Sequence, residues 1–330
     1  MRCYACKTGE AVLLYDKLPT NEDLGRTYSG YKCTSCTAGF LFPRITYEEI
    51  EESCYGDDYH IYRPNQRRGG AFGRLKLKVR KAVLDHFLGY GERHWYAPLF
   101  YSFFLRVAFY PRRHDDTHGA GKVLDIGCGS GKYLSYLKEL GWDVYGIEPS
   151  HRGVSIAHAS GLSNVVEGNG SNIPFPDKTF DVINMHHVFE HVDDPDPTLQ
   201  AIHHALKDNG ELVITVPNFN SLASRVFGRY WGGIDLPRHF FYYNVPSLQK
   251  ILAKHGFQIR ETYFSDTFRG FASALSCLLT NDMRSSLEKY FLPFGVGLDL
   301  LFDPLFRLWG LGDAMTIKAV KIHEHRNHSS

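Results

Sequence analysis

The sequence lacks any uninterrupted run of about 20 apolar residues, the length that a membrane-spanning helix needs. Its N-terminus, MRCYACKTGE, also lacks the charged and then apolar layout of a secretion signal. Neither sign of charge is in excess, because 37 Lys and Arg residues stand against 36 Asp and Glu residues. We therefore expect a cytoplasmic protein with no strong nucleic-acid signal.

Cysteine is scarce, and its arrangement argues against a disulfide framework. The seven cysteines form two close pairs and three scattered singles, and an odd number of cysteines cannot all pair in disulfides. Each pair has two residues between its thiols, the spacing of a knuckle that presents both sulfurs to one ion, and two knuckles give the four-sulfur set that suits structural Zn²⁺. The predicted zinc ligands are Cys3, Cys6, Cys33 and Cys36, whereas Cys54, Cys128 and Cys277 are expected to be small core residues.

Composition divides the chain into parts. Residues 1–60 hold both cysteine pairs and short β-prone pieces, and we expect a zinc ribbon there that folds only with its metal. Residues 61–120 predict a basic, glycine-rich linker and a helical cap. Residues 121–322 alternate strand-like and helical pieces, which is typical of an α/β fold with a parallel sheet covered on both faces. We expect a helical insertion over about 266–312, a last strand over 314–321 and a disordered tail over 323–330.

One helix of the α/β part has clear signals at both ends. Asp196 is the predicted N-cap, Pro197 the first helical residue, and Asn209-Gly210 the end. A later helix is expected to stop at Gly256, before the strand FQIRETYF.

Two aromatic, apolar segments, residues 94–111 and 289–312, are interrupted by proline and charged residues, so neither is expected to span a bilayer. We favour an arrangement in which both pack together as a cap over the active site. Peripheral contact with a membrane is the alternative, because a basic stretch precedes the first segment. That stretch contains Arg67, Arg68, Arg74, Lys76, Lys78, Arg80 and Lys81.

The stretch VLDIGCGSGKYL, residues 123–134, predicts a strand, a glycine turn and a helix. A dinucleotide-binding loop would have its third glycine at position 132, where Lys132 stands instead. Asp125 lies beside the turn, and Glu148 ends the next strand, where a carboxylate can accept both hydroxyls of a ribose. The pattern favours a ligand that carries an amino acid and an adenosine over one that binds through a pyrophosphate.

These residues resemble the successive motifs of class I S-adenosylmethionine-dependent methyltransferases, namely VLDIGCGSG, the acid of GIEPS, EGNGSNIPFPDKTFDVI and VFEHVDDP. The resemblance covers roughly residues 120–262. With VPNFNS and FGRYWGGIDLPRHFF, the chain is similar to bacterial methyltransferases that carry an N-terminal zinc ribbon, and its EHV segment resembles that of the ubiquinone-type O-methyltransferases. The resemblance implies a Rossmann-like, seven-stranded sheet and methyl transfer, most readily to oxygen, on a small-molecule, sugar or lipid-linked acceptor.

The resemblance also implies roles for single residues. Asn169 stands where the family usually has an Asp that contacts the adenine, which leaves an uncharged acceptor there. No Asn-Pro-Pro-aromatic motif follows the fourth strand of the α/β part, so methylation of an exocyclic amine on a base is disfavoured. The predicted cofactor residues are Asp125, Gly127 and Gly129 at the methionine part, Glu148 at the ribose, Asn169 at the adenine, and also Gly131 and His186.

The stretch MHHVFEHV, residues 185–192, follows a predicted strand at the sheet edge where open α/β folds bind ligands. If residues 188–192 form a helical turn, His187, Glu190 and His191 share one face. A hydroxyl acceptor must lose a proton, so we predict His187 or His191 as the catalytic base, oriented by Glu190. Two alternatives stay open: a structural turn, and a divalent-metal site such as the matching positions of ubiquinone-type enzymes resemble, although His187 replaces an acid that would favour a hard cation.

The stretch GGIDLPRHFF supplies a second polar group of residues, Asp235, Arg238 and His239. The resemblance places it over the acceptor pocket, where an arginine could clamp an anionic group; a solvated loop is the alternative. An alternative function would have the zinc ribbon direct the domain, either as a methyltransferase or as a binding scaffold, to RNA or to a protein. Acidic and basic residues balance between the two knuckles, which disfavours a phosphate backbone as partner.

Overall fold

The computed structural model describes residues 1–18, 26–44, 71–97, 121–265, 267–280 and 308–322, together with single residues between these ranges. Cys54, the aromatic stretch at residues 98–110, residues 281–289 and 299–307 of the predicted helical insertion and the tail at residues 323–330 lie outside the described residues. What the sequence predicts for them stays a prediction.

The described strands are β1 (Ala11–Leu18), β2 (Tyr28–Cys33), β3 (Gly39–Phe42), β4 (Lys122–Ile126), β5 (Asp143–Glu148), β6 (Val165–Glu167), β7 (Phe180–His186), β8 (Leu206–Pro217), β9 (Phe241–Tyr242), β10 (Phe257–Ser265) and β11 (Ala314–Lys321). The helices are α1 (Ala71–Leu88), α2 (Lys132–Glu139), α3 (His151–Ala159), α4 (Pro195–Ala205), α5 (Leu222–Phe227), α6 (Val245–Lys254) and α7 (Thr267–Thr280). Short 3₁₀ turns lie at Phe189–His191, Gly228–Tyr230 and Gly232–Ile234.

Seven strands form the main sheet in the order β10-β11-β8-β7-β4-β5-β6. The neighbours from β8 to β6 are parallel, whereas β11 is antiparallel to both β8 and β10. This arrangement confirms the predicted Rossmann-like α/β class with seven strands. It also brings the carboxyl ends of β4, β5 and β7 to one edge, where Asp125, Glu148 and the MHHVFEHV turn were expected to meet.

Both faces of this sheet are covered. Alternate residues of β4 enter different clusters, with Leu124 and Ile126 on the face of α4 and α6, and Val123 on the face of α1, α2 and α3. Parallel strands that are buried on both sides need near-continuous apolar runs, which is why KVLDI and FDVINM contain so few polar residues. The polar residues that are buried in these two stretches, Asp125 and Asn184, lie at the end of the sheet that carries the candidate site.

The N-terminal cysteine module is part of a second sheet, in the order β1-β2-β3-β9. The strand β9 belongs to the α/β domain, since it lies between α5 and α6. Leu18, Tyr28 and Leu41 of the module pack in one buried cluster with Trp231 and Tyr242 of the α/β domain, among others. The predicted division at residue 60 stays a prediction, but this module and the α/β domain share both a sheet and a core.

The predicted ends of one helix are wrong. Asp194, not Asp196, is the N-cap of α4; its side chain accepts a hydrogen bond from the Asp196 amide, and Pro195 begins the helix. The sequence DDPDP carries the cap signal twice, and Asp196 binds Lys254 and His255 instead. The helix also ends at Ala205, because the chain turns extended at Leu206 to pair with β7, so Asn209-Gly210 lies within β8.

Other predicted elements agree with the structure. The α6 helix ends at Lys254, close to the expected stop at Gly256, and the strands β10 and β11 lie where FQIRETYF and AMTIKAVK predicted them. Along the described part of the chain, each helix is too short or too polar to cross a lipid bilayer.

Candidate functional site

The four paired cysteines converge at one point of the N-terminal module. The Sγ atoms of Cys3 and Cys36 lie 3.7 Å apart, and those of Cys6 and Cys33 also lie 3.7 Å apart. A disulfide would need about 2.05 Å. Zn–S bonds of about 2.3 Å in a tetrahedron put the sulfurs about 3.8 Å apart, so the observed spacing fits a zinc ion.

The two knuckles repeat one backbone geometry. Lys7 follows the first pair and Thr37 follows the second, and both have a left-handed φ, of 60° and 67°. Their amides donate to the carbonyls of Cys3 and Cys33 respectively, which closes each turn. The matched turns support the predicted zinc ligands from the chain's own geometry.

The glycine turn after β4 is tied to the neighbouring strand β5. The amides of Gly127 and Cys128 donate to the carbonyl of Ile147, and the Gly129 amide donates to Oε2 of Glu148 at 2.7 Å. The Ser150 amide donates to Oε1 of the same carboxylate at 3.1 Å. Backbone donors therefore orient the buried Glu148 carboxylate, whose oxygens are acceptors of the kind that a ribose diol needs.

Gly127 lets the turn after β7 approach this loop. A Cβ on Gly127 would lie 2.4 Å from Cγ2 of Val188, and the φ of Gly127 is +73°. Any other residue would both clash and adopt an unfavourable backbone conformation. The turn that carries the histidines is therefore in direct contact with the candidate cofactor loop.

Asp125 is buried beneath the glycine turn and accepts a hydrogen bond from Nδ2 of Asn184 at 2.9 Å. Burial raises the pKa of Asp125 to about 7, and the nearby charge of Glu148 raises it as well. Oδ1 of Asn184 is buried and has no hydrogen-bond partner among the described residues. A buried carboxyl with a raised pKa beside an unpaired amide oxygen fits a ligand that brings a positive charge and N–H donors, as the α-ammonium of S-adenosylmethionine does.

The other three predicted cofactor residues also lie near this edge of the sheet. Gly131 caps α2, and His186 ends β7, with its ring 5.0 Å from that of His187. Asn169 is exposed in the loop after β6, where its Oδ1 accepts from the amide and hydroxyl of Ser171. Their roles toward a cofactor stay predictions.

His187 and Glu190 form a hydrogen-bonded pair. Nδ1 of His187 donates to Oε1 of Glu190 at 3.2 Å, since an ionised carboxylate can only accept. Burial alone would raise the pKa of Glu190, but the hydrogen bond from His187 and the surrounding histidine charges hold it well below its usual range. His187 has a left-handed φ of 55°, and 45% of its side chain is exposed, so the unprotonated Nε2 can meet a molecule from solvent.

His191 belongs to a different part of the cluster. Its Nδ1 donates to the carbonyl of Arg238 at 2.8 Å, and its ring lies 4.7 Å from that of His239. His239 is buried, and its Nδ1 donates to the carbonyl of Gly233. A carbonyl can only accept, so in the neutral form both rings carry the proton on Nδ1 and keep a lone pair on Nε2.

Two carboxylates complete this inner group. Nε2 of His239 lies 4.0 Å from Oε1 of Glu190 and 3.6 Å from Oδ2 of Asp235. Oε2 of Glu190 is buried and accepts no hydrogen bond from any described residue. Glu190, His191 and His239 each offer a ligand atom within 4.8 Å of the others, so this trio could hold a metal ion. The structure thus contains two arrangements that share Glu190, the pair with His187 and the trio with His191 and His239, and the catalytic roles of these residues stay predictions.

Arg238 lies closer to its own loop than expected for a residue that clamps an acceptor. Its guanidinium forms an ion pair with Asp235 at 2.7 Å, and little of either side chain is exposed. Burial alone would raise the pKa of Asp235, but the charges of His239 and Arg238 lower it. Whether Asp235, Arg238 and His239 bind the acceptor stays a prediction, although all three lie at the expected edge.

Two contributors were not identified from the sequence. Asn184 is a buried amide inside an apolar strand, and that isolated polar residue was the available signal. The contact of Val188 with Gly127 had no signal, because neither residue type indicates its partner.

Comparison with known proteins agrees with this geometry. A family model described as a methyltransferase domain matches residues 82–262, more than half of the chain. A ubiquinone biosynthesis O-methyltransferase from Bordetella avium is 27% identical over 158 residues, which cover 44% of this chain and 65% of that protein. A mitochondrial protein of the same name from Bos taurus is 30% identical over 175 residues, which cover 46% of this chain and 47% of that protein.

The chain therefore spans less than two thirds of these relatives, and the matched family region begins after the four cysteines. Among solved structures, an S-adenosylmethionine-dependent methyltransferase from Thermotoga maritima aligns at 19% identity with a TM-score of 0.43. The alignment covers 75% of this chain and 96% of that chain.

The state of His191 predicts how stability changes with pH. Burial lowers its pKa to about 4, and the neighbouring His239 also lowers it. The unfolded chain takes up this proton near pH 6.5, so the folded state loses stability as the pH falls from about 6.5 to 4. Urea unfolding should show that wild type loses up to about 2 kcal/mol more than His191→Gln between about pH 7.5 and pH 5.

The exposed His204 provides the control for this measurement, because His204→Gln should keep the wild-type pH dependence. Equal pH dependence of His191→Gln and wild type would show that His191 titrates normally in the folded protein.

Proposed function

This chain belongs to the methyltransferase-domain family, and on that premise we propose that it transfers the methyl group of S-adenosylmethionine to a hydroxyl group, with His187 as the general base. The observation that carries the proposal is the position of the His187–Glu190 pair, which the adjoining Val188 joins to the glycine loop. We take the acceptor to be a small molecule, a sugar or a lipid-linked intermediate. The relatives named ubiquinone biosynthesis O-methyltransferases support a small hydroxylated acceptor.

The residues that hold the cofactor in this proposal are those of the glycine loop and of the ends of β4 and β5. When bound, S-adenosylmethionine supplies an electrophilic methyl group on a sulfonium. Glu148 accepts from the ribose hydroxyls, and Asp125 faces the ammonium of the methionine part. Gly127 and Gly129 permit the close approach of a ligand to the backbone.

His187 then acts on the acceptor. Its Nε2 would take the hydroxyl proton as the acceptor oxygen bonds to the methyl carbon and the carbon–sulfur bond breaks to release S-adenosylhomocysteine. Glu190 would stabilise the resulting imidazolium through Nδ1. The ionised state of Glu190 keeps the proton of neutral His187 on Nδ1, and the Nε2 lone pair stays available. Asp235, Arg238 and His239 line the acceptor side of the same edge.

Cofactor binding should depend on pH through Asp125. Its pKa of about 7 should fall when a cationic group binds beside it, because that charge favours the ionised carboxylate. The affinity for S-adenosylhomocysteine should therefore weaken by up to about tenfold per pH unit below pH 7 and level off above it. Calorimetry across this range measures the dependence.

The variant Asp125→Asn should bind more weakly at high pH and show a much flatter profile. Asp143→Asn, at an exposed position of β5, should retain the wild-type profile. If wild type binds no S-adenosylhomocysteine at any pH, the proposed function fails.

His187→Ala should lower turnover by about 10²–10⁴-fold with little change in the affinity for S-adenosylhomocysteine, because the side chain removes a proton. Glu190→Gln should lower turnover too, since a neutral amide stabilises an imidazolium less. Turnover is measured by mass spectrometry as methyl gain on a panel of catechol, sugar and lipid-linked hydroxyl acceptors. His204→Ala is the matched control, and an unimpaired His187→Ala enzyme would reject the base assignment.

The four cysteines are proposed to hold one structural zinc ion, which the sulfur spacing and the matched knuckles support. Elemental analysis should find about one zinc per chain, and Cys33→Ser should lose it along with stability. Cys277→Ala, at a buried cysteine outside the module, should keep the zinc. Full zinc content in Cys33→Ser would contradict the assignment.

One observation favours a second candidate role for the cluster, as a divalent-metal site. The Nε2 lone pairs of His191 and His239 and the unpaired oxygen of Glu190 together offer three ligand atoms, and the backbone carbonyls that orient both rings are typical outer partners of metal-binding histidines. In this case the same elemental analysis would find a second equivalent of metal, which His239→Ala would lose while keeping the zinc of the cysteine module.

A further inference from the structure

The turn and the loop that carry the histidine–carboxylate cluster are both held by the cysteine module. On one side, β3 of the module pairs with β9, with Gly39 opposite Tyr242 and Phe40 opposite Phe241. The Leu41 amide extends this pairing by donating to the carbonyl of Phe240 at 3.2 Å. The second cysteine knuckle ends only a few residues before β3, so the metal-binding turn and this pairing form one continuous piece.

The backbone of Phe240 links the module to the cluster directly. Its carbonyl accepts from Leu41, and its amide donates to the carbonyl of Glu190 at 2.9 Å. Phe240 also follows His239 in the chain. The Phe240 amide thus fixes the loop that bears His239 against the turn that bears Glu190, and the Phe240 carbonyl bonds to the module.

The first cysteine knuckle holds the other side. Lys7, the residue after Cys6, forms ion pairs with Asp194 at 2.8 Å and Asp196 at 2.9 Å. These carboxylates follow His191 in the chain. Because Asp194 is also the N-cap of α4, Lys7 contacts the point at which the histidine turn ends and the helix begins.

The packing between the module and the loop is close. A Cβ on Gly39 would lie 2.8 Å from Cδ2 of Tyr242 and 3.0 Å from Cε1 of Phe219, so even one methyl group has no room. Phe40 and Trp231 are fully buried. Because packed interiors do not deform continuously, a displacement of β3 would be transmitted through this close packing to the loop that bears β9.

The cofactor loop has separate support, since its amides bond to Ile147 and Glu148 of β5. We propose that the cysteine module is a positioning element for the cluster: its metal-bound fold fixes His239 against Glu190 and His191 but leaves the glycine loop unaffected. The inference rests on the proposed zinc site and on the proposed role of the cluster.

Hydrogen-exchange mass spectrometry of the full chain tests this, with zinc bound and after removal by a chelator under reducing conditions. Loss of zinc should raise exchange by about tenfold or more at residues 239–242 and 189–194, because β9 loses its pairing with β3 and Asp194 loses its ion pair with Lys7. Amides of the glycine loop and of β4 and β5 should keep their protection, and affinity for S-adenosylhomocysteine should stay within about threefold of the loaded protein. Retained protection at 239–242 while residues 28–42 lose theirs would overturn the proposal.

A zinc-loaded variant keeps the proposal falsifiable if chelation unfolds the whole chain. Lys7→Met should raise exchange at residues 189–194 and shift the imidazole ¹⁵N resonances of His191, whereas Lys7→Arg should restore both. Lys178→Met is the control, because Lys178 forms a comparable exposed ion pair with Asp208 away from the module. If Lys7→Met and Lys178→Met behave alike, the module does not position the cluster.

The two proposals fail in different experiments. Exchange and imidazole resonances need neither cofactor nor acceptor, so they report on the module even if wild type binds no S-adenosylhomocysteine. An absence of binding in wild type would reject the methyltransferase assignment alone, whereas normal binding with unchanged exchange would reject the positioning role alone.

Discussion

The contact between Val188 and Gly127 is the constraint on which the candidate site depends. It places the turn after β7 on the loop after β4, and a side chain at position 127 would push the two apart. To reach this contact the chain turns sharply at His187, whose left-handed backbone costs about 1–2 kcal/mol for a residue other than glycine. The His187 amide offsets part of this cost by donating to the carbonyl of Thr215, and the side chain bonds to Glu190. The same strained residue thus joins the sheet, the cofactor loop and the acidic group behind it.

Four buried or half-buried carboxylates surround this contact, and they form two pairs that differ in the charge of the groups around them. Asp125 receives a neutral donor from Asn184, so its charge is only partly compensated and a cationic ligand can complete it, and Glu148 receives donors from backbone amides. Glu190 and Asp235 lie among histidines and Arg238, which lower both pKa values. One half of the site is therefore suited to bind a positively charged cofactor and the other to accept a proton from a neutral group. Val188 lies between the two halves.

Much of this arrangement follows from local sequence. Strands β4 and β7 are buried on both faces, and their apolar runs were recognised for that reason; the glycine turn and Glu148 follow from the spacing of glycines and an acid along consecutive strands. The paired cysteines were recognisable because two thiols at that spacing have few other uses.

Helix α4 shows the limit of local signals. DDPDP encodes two equivalent caps, and the choice between them is made by Lys7, Lys254 and His255, which lie in other parts of the chain.

The contacts that local pattern could not supply are those between distant segments. His187 and His191 were predicted to share one face with Glu190, with either histidine as the base, but the ring of His191 meets that of His239, which a separate loop brings alongside. That loop is in place because β9 pairs with β3, and a strand of two residues carries no periodicity by which a partner could be identified. The pairing is specified by shape, because Gly39 has no side chain and so leaves room for the rings of Tyr242 and Phe219. Such complementarity becomes visible only when both segments are in place. The cluster proposed for the acceptor side of the site therefore depends on the contact between two segments whose sequences, taken separately, predict a metal-binding module and a polar loop.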